Sequence, residues 1–278
     1  MSTLVTRRPR TELAAVGLAA ALLACYVPVL RALLALWAEV PYYSYGFLVP
    51  IFSAYLAWDA RTDVGRQPLA PAPRGLMLVA VGVAVLAAGY RAGSVTLQTV
   101  SLPVALAGLL IATLGIPRTR TLAFPLVFLV FMTPLPDGVL PALSMPLQQV
   151  AAATSEWLLW LVGVPVAREG LFLTLPSVRL EVTEACNGLR FLLAMIVVGG
   201  AFAGMTQTGW RRRALVMVAA VVAALVANCL RVAGTGMLAE LYGHEVAGGF
   251  YHIVWGKIIY AAMLLPFGLF VVALRRRV

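Results

Sequence analysis

Apolar stretches of roughly 15–24 residues recur from one end of this chain to the other, and no other feature restricts its fold as strongly. In lipid every backbone N–H and C=O must find a partner within the protein, so runs of this length close into helices rather than open strands. Charge agrees with that reading. Only 12% of the 278 residues are charged, against about a quarter in soluble domains. The expected fold is an all-α polytopic membrane protein, a single integral unit over 1–278 with no linker, repeat or soluble domain.

Eight spans are expected, at roughly 13–36, 43–58, 75–90, 94–115, 119–133, 188–207, 213–236 and 254–273. The basic flank Arg7, Arg8 and Arg10 precedes a run with no small-residue cleavage site, so the first span reads as retained rather than as a cleaved leader. Arg also clusters at 61, 66 and 74, at 118 and 120, at 211–213 and at 275–277. Eight spans put all five clusters on one side, which the positive-inside rule makes cytoplasmic, with both termini there. Most of the acids, Glu39, Asp137, Glu156, Glu169, Glu181, Glu184, Glu240 and Glu245, then fall outside. The formal charge of +10 is thus a topology signal and not a nucleic-acid footprint.

Residues 134–187 lie between two cytoplasmic clusters and stay outside in this scheme. The 146–164 stretch is expected as an amphipathic helix in the interface, with Trp157 and Trp160 at headgroup depth. After it, REGLFLTLPSVRLEV reads as two short strands around a Pro-Ser turn, a β-hairpin ahead of EACNGLR.

Three polar groups on three different spans reach the same outer layer. Cys186 opens the sixth span, where first-turn N–H groups and the helix dipole favour a thiolate. Arg231 lies within the apolar seventh span, where a central Arg costs at least ~2.5–3.5 kcal/mol on insertion scales, so it is expected to face a polar cavity. His252 enters at the start of the eighth, with Gly256 four residues on, where another helix can approach closely. Asn228, at i−3 from Arg231, shares its face and is placed to hold the guanidinium. Arg190, four residues after Cys186, reads first as a snorkelling charge or a partner for Glu184 or Glu240, and second as catalytic. Glu184 and Asn187 complete the polar cluster. His244 reads as solvated, and Cys25 and Cys229 as packing.

The three cysteines form no disulfide framework, and no zinc-ligand pair spacing is present. Walker, dinucleotide, Gly-x-Ser-x-Gly and His-Glu-x-x-His patterns are absent, so no cofactor or metal is expected.

From about Phe124 to Gly256 the chain resembles the exosortases and archaeosortases. The carrying segments are FPLVFLVFMTPLP, GVPVAREG, EACNGLR, NCLR and HIVWG, with YSYGFLVP similar to an element near the second span. Two positions depart from the family pattern: Tyr45 stands where His is frequent, and Lys257 follows Gly256 where Trp is common. The resemblance implies a cysteine transpeptidase of the cytoplasmic membrane, with Cys186, Arg231 and His252 as its catalytic residues. Its implied substrates are secreted proteins ending in a short motif such as Pro-Glu-Pro, an apolar helix and a basic cluster. The implied acceptor is a surface glycan or lipid. Two rival readings use the same residues: a non-enzymatic subunit or transporter of an exopolysaccharide export system, and a lipid-handling acyltransferase.

Overall fold

The computed structural model describes residues 9–207, 209–243 and 249–276, apart from the side chains of 9–12, 14–15, 249–253 and 276. Five helical segments are long and apolar enough to cross a membrane: Val16–Glu39, Val95–Leu114, Glu184–Thr206, Trp210–Tyr242 and Val254–Arg275. The other three expected spans are shorter or interrupted. Helix α4, Gly75–Arg91, has 17 residues, about 26 Å at 1.5 Å per residue. The 43–58 segment divides at Phe47 into a 3-10 helix, Pro41–Phe47, and helix α2, Leu48–Asp59, which the short helix α3, Arg61–Arg66, follows. The 119–133 segment becomes α6, Ile116–Thr121, α7, Ala123–Phe128, and a 3-10 turn, Leu129–Met132. Proline sets this last break: Pro125 falls in the first turn of α7, where its missing N–H is not needed.

The chain divides into two compact units, Met1–Pro136 and Asp137–Val278. In the first, helix α1, Pro9–Glu39, buries Leu22, Tyr26, Val29, Leu33 and Trp37, one stripe at helical spacing. The Tyr26 hydroxyl is 2.8 Å from that of Ser101 in α5, Val95–Leu114. Trp37 lies where a Cβ on Gly46 would stand, which ties α1 to the following 3-10 helix. Helices α4 and α5 touch along small residues: Cβ atoms added at Gly82 or Gly108 would overlap the facing backbone at Ala105 and Val79. Such stripes let helix backbones approach closely in lipid, where packing replaces the hydrophobic drive.

The second unit carries every residue singled out around EACNGLR. Helix α8, Val139–Leu161, buries Ser144, Gln148, Ala151, Ala152, Ser155 and Leu159 and exposes Trp157 and Trp160. Three short antiparallel strands follow, β1 Ala167–Glu169, β2 Phe172–Thr174 and β3 Arg179–Glu181, in the order β1-β2-β3. One strand more than the sequence reading is present, because Ala167–Glu169 pairs with Phe172–Thr174 through the turn at Gly170. The Pro176–Ser177 turn is closed by the Leu175 N–H donating to the Val178 carbonyl, 2.8 Å, and is anchored by Ser177 on the Glu240 carboxylate. Helices α9, Leu189–Thr206, α10, Trp210–Tyr242, and α11, Gly249–Arg276, complete the unit.

Two apolar clusters organise this unit. One joins α8, the sheet and the C-terminal half of α10 through Leu159, Leu173, Val182 and Val232. The other joins α9, α10 and α11 through Met195, Val216, Ala220, Phe267 and Val271. Along α10 the first cluster holds residues 232–239 and the second 216–224, so Asn228 and Arg231 fall between them.

Candidate functional site

The EACNGLR segment folds as a tight turn followed by a helix. Glu184–Cys186 form a 3-10 turn in which the Cys186 N–H donates to the Thr183 carbonyl, 2.9 Å. Gly188 then takes a φ of +75°, which an L side chain rarely adopts, and α9 starts at Leu189. The Asn187 side chain fixes this junction from both ends. Its Oδ1 accepts from the Leu189 N–H at 2.9 Å, and its Nδ2 donates to Ser144 Oγ of α8 at 2.8 Å. Cys186 therefore precedes α9 instead of opening it. The four-residue spacing to Arg190 is not helical, and the two do not share a helix face; Arg190 points to the exterior.

Helix α10 reaches this turn with two side chains. Asn228 Nδ2 donates to the Cys186 carbonyl at 2.9 Å, and Arg231 Nη1 to the Ala185 carbonyl at 3.4 Å. Both side chains are buried. The Asn228 carboxamide lies directly on Gly188, where a Cβ would fall 2.5 Å from its Cγ. The motifs Cys-Asn-Gly and Asn-x-x-Arg thus interlock: one supplies bare carbonyls and a missing side chain, the other the donors that fill the space.

Further groups hold the guanidinium in its layer. Gly256 of α11 gives it room, since a Cβ there would stand 2.9 Å from Arg231 Nε. The Arg231 Cζ lies 5.8 Å from the Phe191 ring centroid, within cation–π range. Phe191 stacks on Tyr260 with centroids 3.3 Å apart, and the Tyr260 hydroxyl donates to Asn228 Oδ1 at 3.5 Å. Tyr260 also lies beside the Arg231 side chain. Phe191 and Tyr260 escape sequence reasoning because aromatic residues inside apolar spans read as packing; only their meeting across α9 and α11 gives them a polar role.

The Cys186 thiol is half-buried. It lines a pocket of about 50 Å³ together with Leu173, Leu180, Glu181, Val182, Val232 and Thr235. Glu184 is exposed beside it, and Glu240 is engaged by Ser177 and not by Arg190. His252 belongs to the first turn of α11, but its side chain, and all of His244, lie outside the described residues. Cys229 is buried, as expected of packing. Cys25, expected to be buried, is exposed, because it lies off the stripe that α1 buries. Among the described residues no three His, Cys, Asp or Glu side chains gather as a metal site.

Fold and site together define a helical membrane protein that holds a cysteine-bearing turn against a buried guanidinium in a polar layer between two apolar clusters. The chain belongs to the transmembrane exosortase family (Exosortase EpsH), which it matches over residues 37–269. The match runs well beyond the 124–256 core that carries the motifs. No curated protein and no solved structure matches the chain.

Proposed function

We propose that this exosortase is a cysteine peptidase and transpeptidase that removes the C-terminal sorting tail of secreted proteins at the outer face of the cytoplasmic membrane. The observation that carries the reading is the convergence of Asn228 and Arg231 on the two carbonyls at Ala185 and Cys186. Burying an arginine is costly, and it persists where its charge has a task. Holding the backbone of a half-exposed thiol is such a task.

Depth along α10 supports the outer location. From Arg213 to Arg231 the helix rises about 27 Å, close to the ~30 Å hydrocarbon thickness, so cytoplasmic Arg211–Arg213 put Arg231 near the far edge. Both termini are then cytoplasmic, and the sheet, with its acids, lies outside. A substrate tail with an apolar helix and a basic end would cross in parallel and present its motif at the depth of Cys186.

His252 takes the thiol proton, and the Cys186 thiolate attacks the motif's peptide carbonyl. Sulfur–carbon bonding creates a tetrahedral oxyanion, which Arg231 stabilises; one such donor in a water-poor site is worth ~10²–10³ in rate. The carbon–nitrogen bond breaks, the tail amine leaves with the proton from His252, and a thioester remains on Cys186. An amine on a surface glycan or lipid attacks that thioester and gives up a proton to His252, forming the new amide and releasing the thiolate. Water in its place gives simple cleavage. Asn228, Asn187, Tyr260 and Gly188 position the nucleophile, and Arg190 and Glu184 face the approaching motif.

The test is co-expression with a tailed secreted reporter. Cys186→Ala and Cys186→Ser should each leave the tail in place, and tail removal by either variant at the normal rate refutes the nucleophile.

A further inference from the structure

The pocket beside Cys186 has mostly apolar walls and one open strand next to it. Leu173 and Leu180, directly paired across β2 and β3, form its floor on the buried face of the sheet. Val232 and Thr235 of α10, with Glu181, Val182 and Cys186, complete its lining. Its size is restrictive. An apolar cavity of about 150 Å³ takes a benzene ring, so one of about 50 Å³ suits a small side chain and not an aromatic one.

The strand beside it is an edge strand. In the sheet order β1-β2-β3, the outer edge of β3 pairs with no strand among the described residues. Register fixes which groups point outward. The bonds from the Leu175 N–H to the Val178 carbonyl and from the Val182 N–H to the Leu171 carbonyl make Leu173–Leu180 a hydrogen-bonded pair. The intervening Arg179 and Glu181 therefore direct their N–H groups away from β2. An extended peptide laid along that edge would place alternate side chains beside Leu180, on the buried face and toward the pocket.

We propose that this pocket and the β3 edge form the acyl-side subsite, which takes an extended peptide and admits a small apolar side chain, with a few non-hydrogen atoms, next to the reacting carbonyl. The inference rests on Cys186 as nucleophile and adds what that nucleophile accepts. Peptide-edge pairing supplies affinity without sequence preference, and the pocket supplies the selection. Proline, alanine and valine fit; aromatic side chains do not.

The test uses the full-length protein in detergent and short acetylated peptide thioesters ending in Ala, Val or Phe, with the adduct on Cys186 followed by intact mass and Cys186→Ala as the blank. Ala and Val donors should acylate at least about tenfold faster than Phe, the low end of what a hydrophobic pocket discriminates. Leu180→Ala, which enlarges the floor, should narrow the ratio of Ala to Phe acylation rates, and Val232→Phe should slow Val more than Ala. Equal rates for Phe and Ala in the parent protein overturn the pocket and leave the thiol's role intact. Absence of any Cys186-dependent adduct, with the thiol still alkylated by iodoacetamide, overturns the nucleophile and the subsite with it.

Discussion

The Asn228 side chain donates to the Cys186 carbonyl at 2.9 Å while resting on Gly188, a residue with no side chain and a φ of +75°. The turn ahead of α9 and the middle of α10, 42 residues apart in sequence, are thereby fastened together. The same residue of α10 receives the Tyr260 hydroxyl on its other end, so the three helices α9, α10 and α11 meet at one carboxamide.

Gly188→Ala should be costly on two counts. A left-handed φ costs an L residue about 1–2 kcal/mol, and the new methyl would overlap the Asn228 carboxamide. Tail removal should fall at least about tenfold, with a lower unfolding midpoint in detergent. The expression level of the membrane-inserted chain, read in parallel, shows whether the turn or the whole fold has failed.

Asn228→Asp keeps the shape of the side chain and removes its donor. The Cys186 carbonyl would then face a carboxylate oxygen, and an unmet buried acceptor costs about 1–3 kcal/mol. Processing should drop while Cys186 remains in place, and alkylation by a small maleimide should change in rate. An unaltered processing rate would mean that the bond to Cys186 has no part in positioning.

Arg231→Lys should lose most activity, on the order of 10²-fold, because an ammonium cannot reproduce a planar fork that spans the Ala185 carbonyl and the Phe191 face. Gly256→Val should mimic it from the other side, since even the first added carbon would stand 2.9 Å from Arg231 Nε. Tyr260→Phe, which removes one long hydrogen bond and keeps the Phe191 stack, should be much milder. Equal losses for Tyr260→Phe and Arg231→Lys would shift the weight from the guanidinium to the tyrosine.

His252→Ala should abolish processing at neutral pH, and His244→Ala should leave it near the parent rate. The measurement is tail removal in cells expressing each variant. The reverse pattern would assign the proton transfer to His244.

Much of this site is legible in the sequence because lipid makes polar residues conspicuous. Arg231 and Asn228 stand out in an apolar helix, and their three-residue spacing puts both on the face that meets the Cys186 turn. The room that Gly256 gives is legible as well, from its lack of a side chain. Arg190 shows where spacing misleads: a glycine in the left-handed region interrupts the helix, and the expected i,i+4 pair dissolves. The spans at 43–58 and 119–133 look continuous by hydropathy, yet proline and local 3-10 geometry break both. β1 was hidden because ARE carries no alternation of its own and forms only by pairing with Phe172–Thr174. Tyr260 and Phe191 were invisible for a related reason, since hydropathy cannot tell an aromatic that supports a guanidinium from one that faces lipid.

The most direct measurement is the intact mass of the full-length protein incubated with a tailed secreted substrate while amine acceptors are withheld. The account predicts a covalent adduct on Cys186 with the mass of the substrate minus its tail, released by an added amine and missing in Cys186→Ala. Tail removal that proceeds in Cys186→Ala, or an adduct that persists in that variant, would contradict it.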